Sequence, residues 1–269
     1  MNGMRCWTVT SLDYVKTAVK NVEEALKGTR RQLPHSNIDT SMNSSYSPEL
    51  DITDKLEAED VTFFQELIGV LRWATEIGRL DILLEVSLLS QYQASPSEGH
   101  LEQLLHIFGF LRKHPKLTLY LSPKLPQMDL LPQMDFGEFR TNREDFAELY
   151  RDAEELLPHH MPVPRGRSLV MTAFVDASHA ANKVTRRSHT GFVIFLNRAP
   201  IVWYSKRQQT VETSTFSAEF IALKACIEAI EHSRFKLRCF SIPMPQGEPT
   251  YVYCDNESVV KTQRTSILH

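Results

Sequence analysis

The chain lacks any run of about 18 uninterrupted apolar residues, so no membrane-spanning helix is expected. Its first residues, Met1-Asn-Gly-Met-Arg-Cys-Trp7, lack the apolar centre of a secretory signal. Cysteine is scarce. Cys6, Cys226, Cys239 and Cys254 contain no C-x-x-C pair and read as free thiols of a reducing, intracellular compartment. His159-His160 has no matching ligand pair nearby, which argues against a zinc site. No sign of charge prevails, since 30 Lys and Arg face 33 Asp and Glu for a net charge of -3.

What is present is an ordinary soluble composition, 42% hydrophobic and 23% charged, over 269 residues. That length suits about two domains. The near-neutral total conceals an uneven distribution. Residues 176–210 hold six Lys or Arg and one acid, whereas residues 131–160 hold eight acids and three Arg. A basic patch beside an acidic segment is a footprint for a polyanion.

Periodicity divides the chain into four segments. In residues 1–58, Ser11 to Leu26 reads as a helix capped by Ser11 and stopped by Gly28. Residues 29–58 read as loop. In residues 59–120, Val61 to Glu76 carries Phe64, Leu67, Ile68, Leu71 and Trp73 near a 3.6 spacing and reads as a core helix. Asp81 to Leu89 reads as a second helix capped by Asp81. Ser97-Glu-Gly-His100 opens a third, which Pro115 ends. Residues 121–167 read as linker, with the pentapeptide Leu-Pro-Gln-Met-Asp at Leu125 and again at Leu131, and an acidic helix from Asn142 to Leu157.

From residue 168 to 269 the pattern turns to strands. Leu169–Val175, Thr190–Leu196 and Ile201–Tyr204 predict an antiparallel meander, with a turn at Asn197-Arg198. A helix from Thr215 to Phe240 follows, with Phe216, Phe220, Leu223, Ile227, Ile230 and Leu237 as its buried stripe. The strand Tyr251–Cys254 should run parallel to its neighbour after that crossover, and a last helix should begin near Asn256.

Three acids stand at informative places in this order. Asp176 ends the first apolar run, Glu219 lies near the start of the long helix, and Asp255 follows the fourth strand. Carboxylates so arranged suit two Mg²⁺ ions, which stabilise the attacking and leaving oxygens of an in-line phosphodiester cleavage. Integrase-type transferases order their acids Asp…Asp…Glu, which this order disfavours.

The β-β-β-α-β-α succession with Asp, Glu and Asp resembles ribonuclease H. Five blocks are more specific: Phe174-Val-Asp-Ala-Ser178, Thr185-Arg-Arg-Ser-His-Thr-Gly191, Pro200-Ile-Val-Trp-Tyr-Ser-Lys206, Gln209-Thr-Val-Glu-Thr-Ser-Thr-Phe-Ser-Ala-Glu219 and Tyr253-Cys-Asp-Asn256. In order, they are similar to the ribonuclease H domain of copia-type retrotransposon polyproteins. Phe64-Gln-Glu-Leu-Ile-Gly-Val-Leu-Arg-Trp73, Arg79-Leu-Asp81 and His100 to Lys113 are similar to the segment after the polymerase palm of that family.

The resemblance implies an α+β or α/β fold, in which a thumb- or connection-like helical block precedes a mixed ribonuclease H-like sheet with flanking helices. It implies hydrolysis of RNA in an RNA·DNA hybrid, with Asp176, Glu219 and Asp255 both catalytic and metal-binding, and two Mg²⁺ (or Mn²⁺) as cofactors. Asp176 would bridge the ions. Arg186, Arg187, Lys206 and Arg207 would meet phosphates. Ser188, Thr190, Ser217 and Asn256 would meet sugars or phosphates. His179 and His189 flank this region, and surface positions are expected for both. Partners would be the hybrid and the polymerase and integrase segments of the polyprotein, in a cytoplasmic virus-like particle or the nucleus. The chain holds no Tyr-x-Asp-Asp polymerase motif and stops before the last strand, helix and fourth acid of the family. A C-terminally incomplete, truncated copy is therefore expected, with a catalytically inactive nucleic-acid-binding remnant as the alternative.

Overall fold

A computed structural model describes residues 6–34, 38–126, 158–244 and 250–260. The acidic helix expected at Asn142–Leu157 and the second copy of the pentapeptide lie outside the described residues.

The first core is helical. Helix α1 (Leu12–Ala25) buries Val15, Ala18, Val19 and Val22, an i, i+3, i+4, i+7 stripe. Its Ser11 makes no side-chain capping bond, and the buried Ser11 Oγ has no partner. Helix α2 (Ala58–Glu76) buries Phe64, Leu67, Ile68, Leu71 and Ala74. Trp73, expected in that core, is instead 57% exposed, one position off the stripe. The second predicted helix starts later than expected. A 3₁₀ turn at Leu80–Ile82 leads into α3 (Leu83–Leu89), and Asp81 accepts from the buried Arg79 guanidinium rather than capping.

Helix α4 (Glu98–Lys113) begins with a capping box in which His100 takes the place of the usual acid. Its Nδ1 accepts the Ser97 backbone N–H at 3.0 Å. Asp51 completes this corner by accepting from Ser97, Thr53 and Tyr46. Burial would raise the Asp51 pKa, but these hydrogen bonds outweigh it and hold the group at about 2.

Among the described residues between 29 and 57, no long element forms apart from a 3₁₀ turn at Pro48–Leu50. They are nonetheless packed. Leu33 and Leu56 join the helical core, and Ile38 is buried. The strap crosses α4 at Gly109, where a Cβ would come within 2.6 Å of Ile38 Cδ1. A two-stranded ribbon, β1 (Trp7–Val9) with β2 (Leu119–Leu121), was not expected. Its three-residue strands are too short to show alternation.

The second core is a mixed sheet under one helix. Strands β3 (Met171–Ser178), β4 (His189–Leu196) and β5 (Ala199–Arg207) form the antiparallel meander. Asn197, at φ 55°, makes the β4–β5 turn. Pro200 is tolerated because β5 is an edge strand. Helix α5 (Thr215–Cys239) crosses over to β6 (Tyr251–Cys254), which pairs parallel with β3 and gives the order β5-β4-β3-β6. This is the mixed sheet with a flanking helix that the sequence predicts.

The buried stripe of α5 is rotated from the expected one. Ala218, Glu219, Ala222, Leu223, Cys226 and Ile230 face the sheet, while Phe220 and Ile227 remain 40% and 37% exposed. Small alanines opposite Ala173, Val175 and Ala177 let the helix come close, and the large side chains move to the rim.

The helical block joins the sheet by specific bonds. Trp203 Nε1 donates to the Thr75 carbonyl at 3.0 Å, and Ser87 Oγ donates to the Ser205 carbonyl at 2.9 Å. No helix among the described residues is long and apolar enough to cross a membrane.

Candidate active site

Strand alternation sets the first acid. Ala173, Val175 and Ala177 are buried under α5, whereas Phe174, Asp176 and Ser178 are exposed. The strand continues two residues beyond Asp176, so this acid is internal to β3 rather than at its end. Parallel register then sets the third acid. Val175 pairs with Cys254, so Asp176 and Asp255 follow at the same level on adjacent strands, roughly 4.8 Å apart in backbone spacing. Asp255 is exposed, and Asn256 accepts the Val259 N–H at 3.1 Å to cap the helical turn at residues 257–260.

Helix α5 supplies the second acid. Ser214 caps it, with its Oγ accepting the Ser217 N–H at 3.1 Å. Glu219 follows, only 6% exposed. Its pKa is pushed up to about 7, first by burial, then by the neighbouring Asp176 and Asp255 charges and a side-chain hydrogen bond with Asp176. A hydrogen bond from the Ala177 backbone opposes the rise. Three carboxyl groups thus crowd one sheet edge, where ionising all of them is costly without a counter-charge.

Cys254 was not singled out by the sequence. Its Sγ lies 3.9 Å from Glu219 Oε2, and the ligand atoms of Glu219, Cys254 and Asp255 lie within 4.8 Å of one another. Burial first, and the three carboxylates after it, raise the thiol pKa. A protonated thiol is a poor ligand for Mg²⁺, so the fit to a hard cation rests on the carboxylate oxygens.

No protein-family model and no solved structure matches the chain. Curated proteins do. Over 223 residues the chain is 23% identical to the retrovirus-related Pol polyprotein from transposon RE1 of Arabidopsis thaliana, covering 83% of this chain and 12% of that one. Over 225 residues it is 24% identical to the putative transposon Ty5-1 protein of Saccharomyces cerevisiae, covering 83% of this chain and 56% of that one. A 105-residue stretch is 31% identical to the Pol polyprotein from transposon TNT 1-94 of Nicotiana tabacum, covering 39% of this chain and 8% of that one. Over 83% of its length the chain is thus similar to Pol-type proteins of copia-type retrotransposons, of which it spans only a part.

The basic and polar residues around the acids divide into two groups. Arg186 (at φ 57°) and Lys206 are exposed, and Arg187 and Arg207 are half-buried. All four are open to a ligand. Ser188 and Thr190 are buried. Ser188 Oγ accepts the Ala180 N–H at 3.0 Å, and Thr190 Oγ1 accepts from Gln208 Nε2 at 3.0 Å. Ser217 is engaged with the Ser214 cap and Asn256 with its own helical turn. In this arrangement those four polar residues fix the loops and helix starts around the acids.

Gln208 is a second residue that no motif singles out. It is buried, and its Nε2 also donates to the Ala218 carbonyl at 2.8 Å, so it ties β5 and β4 to the turn of α5 that carries Glu219. His189, expected at the surface, is buried. Its Nε2 lies 2.9 Å from Ser205 Oγ and 3.3 Å from Ser87 Oγ, at the junction with the helical block. Burial, with Arg207 adding to it, lowers its pKa to about 4. His179 is half-buried against the Glu212 carbonyl.

Proposed function

We propose that the chain is the ribonuclease H-type nuclease part of a copia-type Pol polyprotein, hydrolysing RNA in RNA·DNA hybrids. The observation that carries this reading is the convergence of Asp176, Glu219 and Asp255, where burial first, and the two neighbouring carboxylates after it, push the Glu219 pKa up to about 7. The order of the strands and the likeness to transposon Pol polyproteins support it.

The chain's own residues have definite tasks in this reading. Asp176 and Asp255 present ionised oxygens from adjacent strands. Glu219, buried and with its pKa pushed up to about 7, would in its ionised form help hold a cation, so cation uptake and proton release would be linked. Bound Mg²⁺ or Mn²⁺ would supply a lowered pKa for water and stabilisation of the leaving 3′-oxygen. Gln208 and the Ser214 cap orient the start of α5 and thereby Glu219. Arg186, Arg187, Lys206 and Arg207 draw the phosphates of the hybrid to this edge. The remaining Pol segments would be its partners, in a virus-like particle or the nucleus.

The test is incubation of the protein with end-labelled hybrid and Mg²⁺ or Mn²⁺. Cleavage that disappears with chelator and with Asp176→Asn is the expected result. Salt-dependent binding without cleavage under any divalent ion would assign the chain to an inactive remnant instead.

A further inference from the structure

Between helices α2 and α3 and strand β5 lies an open groove of about 600 Å³. Arg72 of α2, Arg187 of the β3–β4 loop and Lys206 and Arg207 of β5 line it, with Glu76 the only acid among the described residues of its walls. Among the described residues, no ion pair or side-chain hydrogen bond engages any of these four cations. Cations brought together by three separate elements and left unpaired repel one another, unless a polyanion lies between them. The Ser87 bond to the Ser205 carbonyl, and that of Trp203 to Thr75, fix the two walls relative to each other.

Sheet register places the groove relative to the acids. Asp176 pairs with Gly191, and Gly191 with Ser205, a residue of the groove wall. Two strand spacings separate Asp176 from Ser205, about 10 Å. That distance is about three nucleotides of rise along one strand.

We infer that this groove grips the sugar–phosphate backbone of one nucleic-acid strand about three nucleotides from the acid cluster, with Arg72 of the helical block as a phosphate contact. The inference rests on the chain binding hybrid, and it extends that binding beyond the sheet to a helix outside the nuclease core. Recognition here is of phosphate, with no base readout, because the cations converge on an open groove rather than on a closed pocket.

Binding of fluorescent RNA·DNA hybrid is measured in chelator, so that no cleavage occurs, across a series of salt concentrations. Arg72→Ala makes the plot of log affinity against log salt shallower by roughly 0.7 to 0.9, the value of one lost phosphate contact. The double variant Lys206→Ala/Arg207→Ala makes it shallower by roughly twice that. Arg72→Lys retains the wild-type slope, Glu76→Gln tightens binding, and Lys16→Ala on the exposed side of α1 changes nothing.

An Arg72→Ala slope equal to that of wild type overturns the inference, as does wild-type binding that ignores salt. The nuclease reading is scored separately, by cleavage in Mg²⁺. Cleavage with unchanged slopes removes the groove alone. A reduced Arg72→Ala slope without any cleavage leaves the groove in place and removes the nuclease.

Discussion

Cys254 Sγ stands 3.9 Å from Glu219 Oε2, so a thiol and a carboxyl share the edge where Asp255 leaves the sheet. Burial and the surrounding carboxylates raise the thiol pKa, leaving little thiolate to react. Cys239, by contrast, is exposed. Iodoacetamide at pH 8, followed by peptide mass spectrometry, is expected to modify Cys239 well before Cys254. Labelling of Cys254 first would show that its carboxylate surroundings are not as described.

The raised pKa of Glu219 has a definite sign for stability. The group ionises at 4.5 in its ordinary state and at about 7 in the fold. Its contribution is therefore complete below pH 4.5 and is lost as pH rises through 7. Glu219→Gln should raise Tm at pH 8 in chelator and have little effect at pH 5. Mg²⁺ should raise the wild-type Tm at pH 8 and leave that of Glu219→Gln nearly unchanged.

His189 contributes in the opposite sense. Its pKa falls from 6.5 to about 4 in the fold, so its contribution is present above pH 6.5 and is lost as pH falls through 4. Ser87, Ser205 and Arg207 surround it at the junction of the helical block with the sheet. Circular dichroism melts between pH 7 and pH 4.5 should show a loss of stability that His189→Gln reduces. An equal loss in the variant would place the acid sensitivity elsewhere.

Trp203 ties the edge strand to α2 through the buried Thr75 carbonyl. Trp203→Phe removes one of two donors to that carbonyl, which keeps the Gly78 N–H, and should cost about 0.5–1.5 kcal/mol in urea unfolding. No change in the midpoint would mean that the indole bond does not hold the junction.

The sheet could be read from the sequence because its determinants are local. Leu169–Val175 and Thr190–Leu196 are apolar runs bounded by turn residues, and Asn197 takes the positive φ that its turn needs. The placement of Asp176 and Asp255 side by side follows once β6 is parallel to β3. The rest depends on distant partners. Nothing around Gln208 in the sequence tells of Ala218 and Thr190. Nothing near Ile38 tells of Gly109 on α4. Cys254 enters the site only through the β3–β6 register. The buried face of α5 departs from the stripe of large residues because close approach to β3 selects alanine. Trp73 is exposed because its phase on α2, not its hydrophobicity, decides which way it faces.

The central claim is that Asp176, Glu219 and Asp255 hold a shared divalent cation. Titration of the protein with Mn²⁺ at pH 7.5, followed by electron paramagnetic resonance of the free ion, measures this without reference to any substrate. Saturable binding by wild type is predicted, weakened at least about tenfold in Asp176→Asn, Glu219→Gln and Asp255→Asn alike. Wild-type binding no tighter than that of the three variants would contradict it.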